Sequence, residues 1–438
     1  MNTLVFLAQP GGKLCGSLRV PGDKSISHRS IMLGALADGI THVRGFLEGE
    51  DCLCTLRAFR AMGVAIDGPR AGQVTIHGVG LRGLKPPTAP LDLGNSGTSM
   101  RLMAGLLAGQ SFATELVGDA SLSKRPMRRV TEPLARMGAR IESTADGTPP
   151  LRIAGGSDLV GFDYAMPVAS AQVKSSLLLA GLYARGETCV AEPAPTRDHT
   201  ERMLRGFGYE LRRDGNRVCL SGGGDLRATD IDVPADISSA AFFLVGASIA
   251  SGSDLMLEHV GINPTRTGVI EILRLMGADI SVLNAREAGG EPVADLRVRA
   301  APLRGIDIPE ALVPLAIDEF PALFVAAACA KGVTRLTGAA ELRVKESDRI
   351  QVMADGLQAC GIEATPTPDG ITITGGALRG AAVESHGDHR IAMAFAIAAL
   401  RAAGTLRIRD CRNVDTSFPG FVTSARGVGL DLAAVAGA

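Results

Sequence analysis

SAQVKSSLLLAGLYARG (residues 170–186) reads as a helix that is polar at its start and apolar around its body, closed by a small-residue turn and Gly186. A helix apolar on every face belongs inside a core. The design recurs as SISHRSIMLGALADG (25–39), SGTSMRLMAGLLAG (96–109), DISSAAFFLVGASIASG (236–252), DEFPALFVAAACAKG (318–332) and DHRIAMAFAIAALRAAG (388–404). The closing glycines, Gly39, Gly109, Gly186, Gly252, Gly332 and Gly404, are spaced by 70, 77, 66, 80 and 72 residues. A strand-like run such as TCVAEP or TLRIRD usually follows.

A second element keeps step with the first: LRAFRAMGVAI, PLARMGARIE, MLRGFGYEL, ILRLMGADIS, LQACGIEA and, more weakly, SARGVGLDL. In each, an amphipathic helix stops at a glycine (Gly63, Gly138, Gly208, Gly277, Gly361 or Gly429) and releases a strand. Two interlocked series of one period predict six copies of a unit with two helices and several strands. The class is α/β, or α+β in some schemes. Six buried helices predict two domains, each with three units wrapped around three helices and covered by outer sheets. The helix starts carry Ser, Thr, Asp, Gly and Gln. Were they to converge, their partial positive charges would suit anions.

Composition narrows the function. The 438 residues carry 45 basic and 46 acidic side chains, which argues against a general nucleic-acid binder. An apolar fraction of 46% excludes disorder. No run of about 18 apolar residues predicts a membrane span. The opening MNTLVFLAQPGGKL lacks the basic start and apolar stretch of a signal peptide. The eight cysteines are scattered, so neither a metal cluster nor a disulfide framework is expected, and a reduced cytoplasmic chain fits. With no Trp and three Tyr, aromatic stacking is not expected to drive binding.

Charged and hydroxyl groups gather at the helix starts. PGDKSISHRS (21–30) sets Lys24, Ser25 and Arg29 in the first turns of one buried helix, an arrangement for phosphate or carboxylate. LGNSGTSMR (93–101) is a Gly-rich turn into the next, with Asn95 and Gly97 placed for an anion. LSKRPM (122–127) presents Lys124 and Arg125 before a proline, where the backbone is extended. Ser170 and Gln172 open the third helix and can donate to phosphate or hydroxyl oxygens. DEFPAL (318–323) puts two carboxylates at an apolar helix, where they could equally be caps. RVKESDR (343–349) packs Lys345, Glu346, Asp348 and Arg349 together, and GDHR (387–390) adds Arg390; a solvated charge run is the ordinary reading of such a stretch. His28 has no evident partner and suits a structural role.

In order along the chain, GDKSISHR, GNSGTSMR, GDASLSKRPM, ASAQVKS, TRDHTE, DEFPAL, RVKESDR and GDHRIAM resemble the EPSP synthase family, the 3-phosphoshikimate 1-carboxyvinyltransferases, from about Val20 to Gly420. The resemblance implies an enolpyruvyl-transferase-like fold of two domains, residues 1–22 plus 237–438 and residues 23–236, with the active site in the cleft between them. It implies transfer of the enolpyruvyl group of phosphoenolpyruvate to the 5-hydroxyl of shikimate 3-phosphate, with no metal and no cofactor. A cytoplasmic monomer with small-molecule substrates, and neither nucleic acid nor membrane as partner, is expected. By the same resemblance, Lys24, Ser25, Arg29, Ser170, Ala171, Gln172, Arg197, Asp318 and Lys345 hold shikimate 3-phosphate. Lys24, Asn95, Gly97, Arg125, Gln172, Arg349 and Arg390 hold phosphoenolpyruvate. Asp318 is the base for the 5-hydroxyl, and Glu346 is the acid toward the methylene carbon, assisted by Lys24.

Each substrate brings a phosphate of about −1.5 to −2 and a carboxylate, which six cations (Lys24, Arg29, Arg125, Lys345, Arg349 and Arg390) roughly balance. Ala171, Leu102, Thr416 and the TRDHTE segment depart from one branch of the family, and Arg197 is placed to compensate for lost polar contacts. Two alternatives remain. The sister enzyme acting on UDP-N-acetylglucosamine has a different residue pattern after its first Lys and usually a cysteine in a cleft loop; here SLSKRPM has none. A non-catalytic anion binder would have no use for the carboxylates Asp318 and Glu346.

Overall fold

A computed structural model describes residues 4–437. The chain divides into two compact units: an insert unit, Gly22–Val233 with Ala288–Gly290, and a terminal unit, Met1–Pro21, Pro234–Glu287 and Glu291–Ala438. The passages follow Pro21 and Val233, where sequence analysis placed them after residues 22 and 236.

The insert unit contains α1 (Lys24–Leu36), α2 (Glu50–Ala61), α3 (Gly97–Ala108), α4 (Arg128–Arg136), α5 (Ala171–Gly181) and α6 (His199–Gly206). The terminal unit contains α7 (Ile237–Ile249), α8 (Gly268–Leu275), α9 (Phe320–Cys329), α10 (Arg349–Ala359), α11 (His389–Ala398) and α12 (Phe421–Gly427). The odd-numbered helices are the buried series. Every residue of α7 is buried, and nearly all of α9 and α11. In the terminal unit α7, α9 and α11 pack against one another; in the insert unit α3 packs against α1 and α5. Backbones meet at Gly105 of α3, where a Cβ would lie 2.0 Å from the Ser176 carbonyl oxygen of α5. Only glycine permits that approach.

The even-numbered helices close on the second glycine series. Gly63, Gly138, Gly208, Gly277, Gly361 and Gly429 all adopt φ between 79° and 114°, the left-handed conformation that ends a helix at little cost to glycine.

Six sheets recur with the helices among the described residues. In one, Asp163–Ala165 runs parallel to Glu187–Ala191 across the α5 crossover. Glu187–Ala191 pairs antiparallel with Arg217–Ser221, and that strand with Arg212–Asp214. The unit is therefore strand, inner helix, strand, outer helix, hairpin. Three sheets borrow a strand from elsewhere in the chain. Ile231–Asp232 joins Asp38–Arg44 in the insert unit's first sheet. Cys15–Leu18 runs parallel to Asp254–Gly261, and Leu4–Ala8 sits between Leu406–Arg409 and Leu432–Ala436.

One expectation is corrected. Cys189 and Cys219 form a disulfide. They face each other in the antiparallel register of Glu187–Ala191 with Arg217–Ser221. Spacing along the chain carries no sign of this pairing, which exists only once the strands are aligned. Glu187 lies beside the two sulfurs, which as a disulfide offer no thiolate to a metal. No helix is long and apolar enough to cross a membrane, among the described residues.

Candidate active site

In the insert unit, Asp23 caps α1 by accepting the Ile26 N–H at 2.9 Å. This fixes Lys24 as the first helical residue, and its ammonium pairs with Asp51, the second residue of α2. Arg29, one turn on, is buried. Its Nε donates to Thr200 Oγ1 (2.6 Å), Nη1 to the Ser25 carbonyl (2.9 Å) and Nη2 to Ser175 Oγ (2.8 Å). His28 does have a partner: its Nδ1 lies 2.8 Å from Thr55 Oγ1. Burial, with Lys24 and Arg29 adding to it, pushes the His28 pKa well below its ordinary value, so the ring is neutral at neutral pH.

A second group surrounds the start of α3. Ser96 accepts the Ser99 N–H and caps the helix, leaving Gly97 as its first residue. Asn95 is held from both sides: its Oδ1 accepts from Arg125 Nη2 (2.6 Å) and its Nδ2 donates to Asp119 Oδ2 (2.8 Å). Arg125 is extended, at φ −81° and ψ 136°, as Pro126 requires. Gln172 Oε1 accepts from Arg101 Nη1 (2.7 Å), and Gln172 Nε2 donates to Thr98 Oγ1 (3.0 Å). The structure thus gathers Asn95, Gly97, Arg125 and Gln172. Ser170 caps α5 through the Val173 N–H, Ala171 opens that helix, and Arg197 stands half-buried ahead of α6. Leu102 lies in the core.

The terminal unit holds the carboxylates. Neither side chain of DEFPAL caps α9. Asp318 Oδ1 lies 3.3 Å from Arg349 Nη1 and 3.6 Å from Lys345 Nζ. Arg349 Nη2 donates to Glu346 Oε2 at 2.6 Å, and its Nε to Asp388 Oδ2 at 2.8 Å. With 1% of its side chain exposed, Arg349 is no member of a solvated charge run; it is the hub of three carboxylates. Burial alone would lower its pKa, but Asp388, Glu346 and Asp318 together outweigh that and raise it, so the guanidinium stays charged. Burial likewise works against ionisation of Asp388, and Arg349 reverses the balance to lower its pKa. Arg390 Nη1 donates to the Asp318 carbonyl at 2.9 Å, while Asp388 caps α11. Thr416 bonds the Asn413 carbonyl (2.6 Å).

Sequence reasoning passed over Asp51, Arg101, Asp119 and Asp388 as working parts. Asp388 could have been found, as a cap beside Arg390; the others meet their partners only through the tertiary fold.

A family model described as EPSP synthase (3-phosphoshikimate 1-carboxyvinyltransferase) matches residues 8–424. The chain belongs to the EPSP synthase family. Relatives named 3-phosphoshikimate 1-carboxyvinyltransferase are 73% identical in Methylococcus capsulatus, over 98% of each chain, and 71% identical in Alkalilimnicola ehrlichii, over 98% of this chain and 96% of that one. The solved EPSP synthase of Acinetobacter baumannii superposes with a TM-score of 0.90 at 59% identity, covering 99% of this chain and 100% of that one. The enolpyruvyl transferase NikO of Streptomyces tendae shares the fold alone, at TM-score 0.79 and 16% identity over the full length of both chains. This family membership favours the EPSP synthase reading over the UDP-N-acetylglucosamine alternative.

Proposed function

We propose that the protein joins C2 of phosphoenolpyruvate to the 5-hydroxyl of shikimate 3-phosphate and then expels phosphate. The supporting observation is Arg349, a buried cation bonded at once to Asp318 and Glu346. Asp318 takes the proton of the 5-hydroxyl as its oxygen attacks C2. Glu346 gives a proton to the methylene carbon, forming the methyl group of a tetrahedral adduct. Elimination reverses the proton movement at that carbon as the C–O bond to phosphate breaks. Lys24, Arg125, Lys345, Arg349 and Arg390 hold the anionic adduct. Arg101, bonded to Gln172, adds a cation to the insert unit's set.

Phosphate release tests the reading. Release is expected with shikimate 3-phosphate and phosphoenolpyruvate together. Release with UDP-N-acetylglucosamine in place of the shikimate ester would overturn it. We further propose that both units are needed for turnover, since each carries only part of the ligand set. Both substrates are phosphorylated anions that do not cross a bilayer, so we place the enzyme, as a monomer, in the cytoplasm.

Gly97 bears on glyphosate, which in this family occupies the phosphoenolpyruvate site. A Cβ at Gly97 would lie 2.9 Å from Arg101 Nη1 and 3.2 Å from Arg125 Nη1. Both are ends of flexible side chains, so the helix would tolerate alanine while the guanidiniums gave way. Inhibition competitive with phosphoenolpyruvate is expected for the wild type. Gly97→Ala is expected to raise the inhibition constant at least about tenfold, a 1.4 kcal/mol change, and to reduce catalysis less. Little wild-type inhibition at millimolar glyphosate would show that Gly97 does not control the site.

A further inference from the structure

Lys174 lies one turn inside α5 and is entirely buried. Its ammonium sits 2.9 Å from Glu192 Oε2 and 2.8 Å from Glu201 Oε1, both carboxylates also being almost wholly buried. It also reaches the Thr196 carbonyl at 3.5 Å. Thr196 Oγ1 donates to Glu192 Oε2 at 2.5 Å, and Arg213 Nη2 lies 3.4 Å from Glu192 Oε1. Two carboxylates therefore face two cations, and Lys174 ties α5 to three separate segments: the strand end at Glu192, the 196–198 loop and α6.

Those segments carry the groups assigned to shikimate 3-phosphate. Ser170 and Gln172 precede Lys174 on its own helix, and Arg197 follows Thr196. The immediate neighbours of the ion group, Ser175 and Thr200, bond to each other (2.8 Å) and together receive two nitrogens of Arg29. We infer that Lys174 is a positioning residue for shikimate 3-phosphate: it fixes the mutual register of Ser170, Gln172, Arg197 and Arg29 without touching the ligand. Without its charge, Glu192 and Glu201 would be buried carboxylates facing each other with one partly exposed arginine beside them, and such a pair drives its segments apart. The inference rests on the substrate reading above.

The test is calorimetric binding of shikimate 3-phosphate, with steady-state phosphate release, for the full-length wild type, Lys174→Met, Lys174→Arg and Glu201→Gln. Lys174→Met is expected to weaken shikimate 3-phosphate binding by roughly 10- to 100-fold. At saturating shikimate 3-phosphate, kcat should stay within about threefold, any rise in the KM for phosphoenolpyruvate, acting through Gln172, should be smaller than the loss of shikimate 3-phosphate affinity, and Lys174→Arg should recover part of that loss. If Lys174→Met does not fold, Glu201→Gln decides, because it keeps the Lys174–Glu192 pair while releasing α6; a several-fold weaker affinity for the same ligand is expected. Unchanged affinity in a folded variant, or a kcat loss equal to any KM change, overturns the positioning role. A wild type that never saturates with shikimate 3-phosphate overturns the substrate reading instead.

Discussion

Lys24→Met is expected to cut turnover by roughly 10³-fold or more, the combined effect of an unpaired anion and a lost transition-state donor. Two separate losses meet at this position. The ammonium is the cation assigned to both substrates, so their phosphate and carboxylate groups would lose a shared counter-charge. Its present partner, Asp51, has 8% of its side chain exposed and would be left as a buried carboxylate without its lysine. The double variant Lys24→Met/Asp51→Asn separates the two, because it removes the orphaned charge but not the catalytic defect. Thermal unfolding should return toward the wild-type value in the double variant while phosphate release stays low. Near wild-type turnover in the single variant would sink the assignment of Lys24.

Asp318→Asn and Glu346→Gln are expected to slow the chemical step by roughly 10²–10⁴-fold each, the usual share of general acid–base catalysis, with shikimate 3-phosphate binding within a few-fold of wild type. Both amides are nearly isosteric with the acids and still accept a hydrogen bond from Arg349. Asp388 remains as its third carboxylate, at 2.8 Å from Nε, so the hub keeps a charged partner in either variant. Titration calorimetry beside single-turnover rates distinguishes the outcomes. Loss of folding in either variant would mean that the carboxylates serve the architecture. Unaltered rates would remove them from the proton transfers.

The repeat was legible because it is written in local chemistry. Helices apolar on all faces cannot lie on a surface, and glycines that must adopt positive φ recur where outer helices stop. Six left-handed glycines at the six expected places follow from that rule. The site was legible at its helix starts for a related reason: polar groups at the mouths of apolar helices need a purpose other than packing. What could not be read were pairings made by register or by tertiary approach. Cys189 meets Cys219 because two strands align across 30 residues of chain. Asp51 reaches Lys24 only because α2 packs on α1. Arg349 looked like one more charge in RVKESDR, and only the packing of α10 against α9 and α11 takes it out of water. His28 acquired its threonine partner in the same way.

The borrowed strands have a consequence for how the chain could be cut and rejoined. Asp236 N–H donates to the Pro21 carbonyl at 2.9 Å, so the terminal unit's two edges at the passages are one hydrogen bond apart. Leu4 pairs with Ala436 at the other end of the same unit. A short linker joining the strand end at Ala436 to the strand start at Leu4 would therefore span a small gap. Opening the ring between Val233 and Pro234 would then yield a circular permutant in which the terminal unit runs from Pro234 through the linker to Pro21, broken only by the Ala288–Gly290 turn that belongs to the insert unit, and the insert unit follows it from Gly22 to Val233. Apart from that turn, a nested pair of domains would become a tandem pair. The edge strand Ile231–Asp232 would stay attached to Asp38–Arg44, so the tail of the new chain would end inside a sheet.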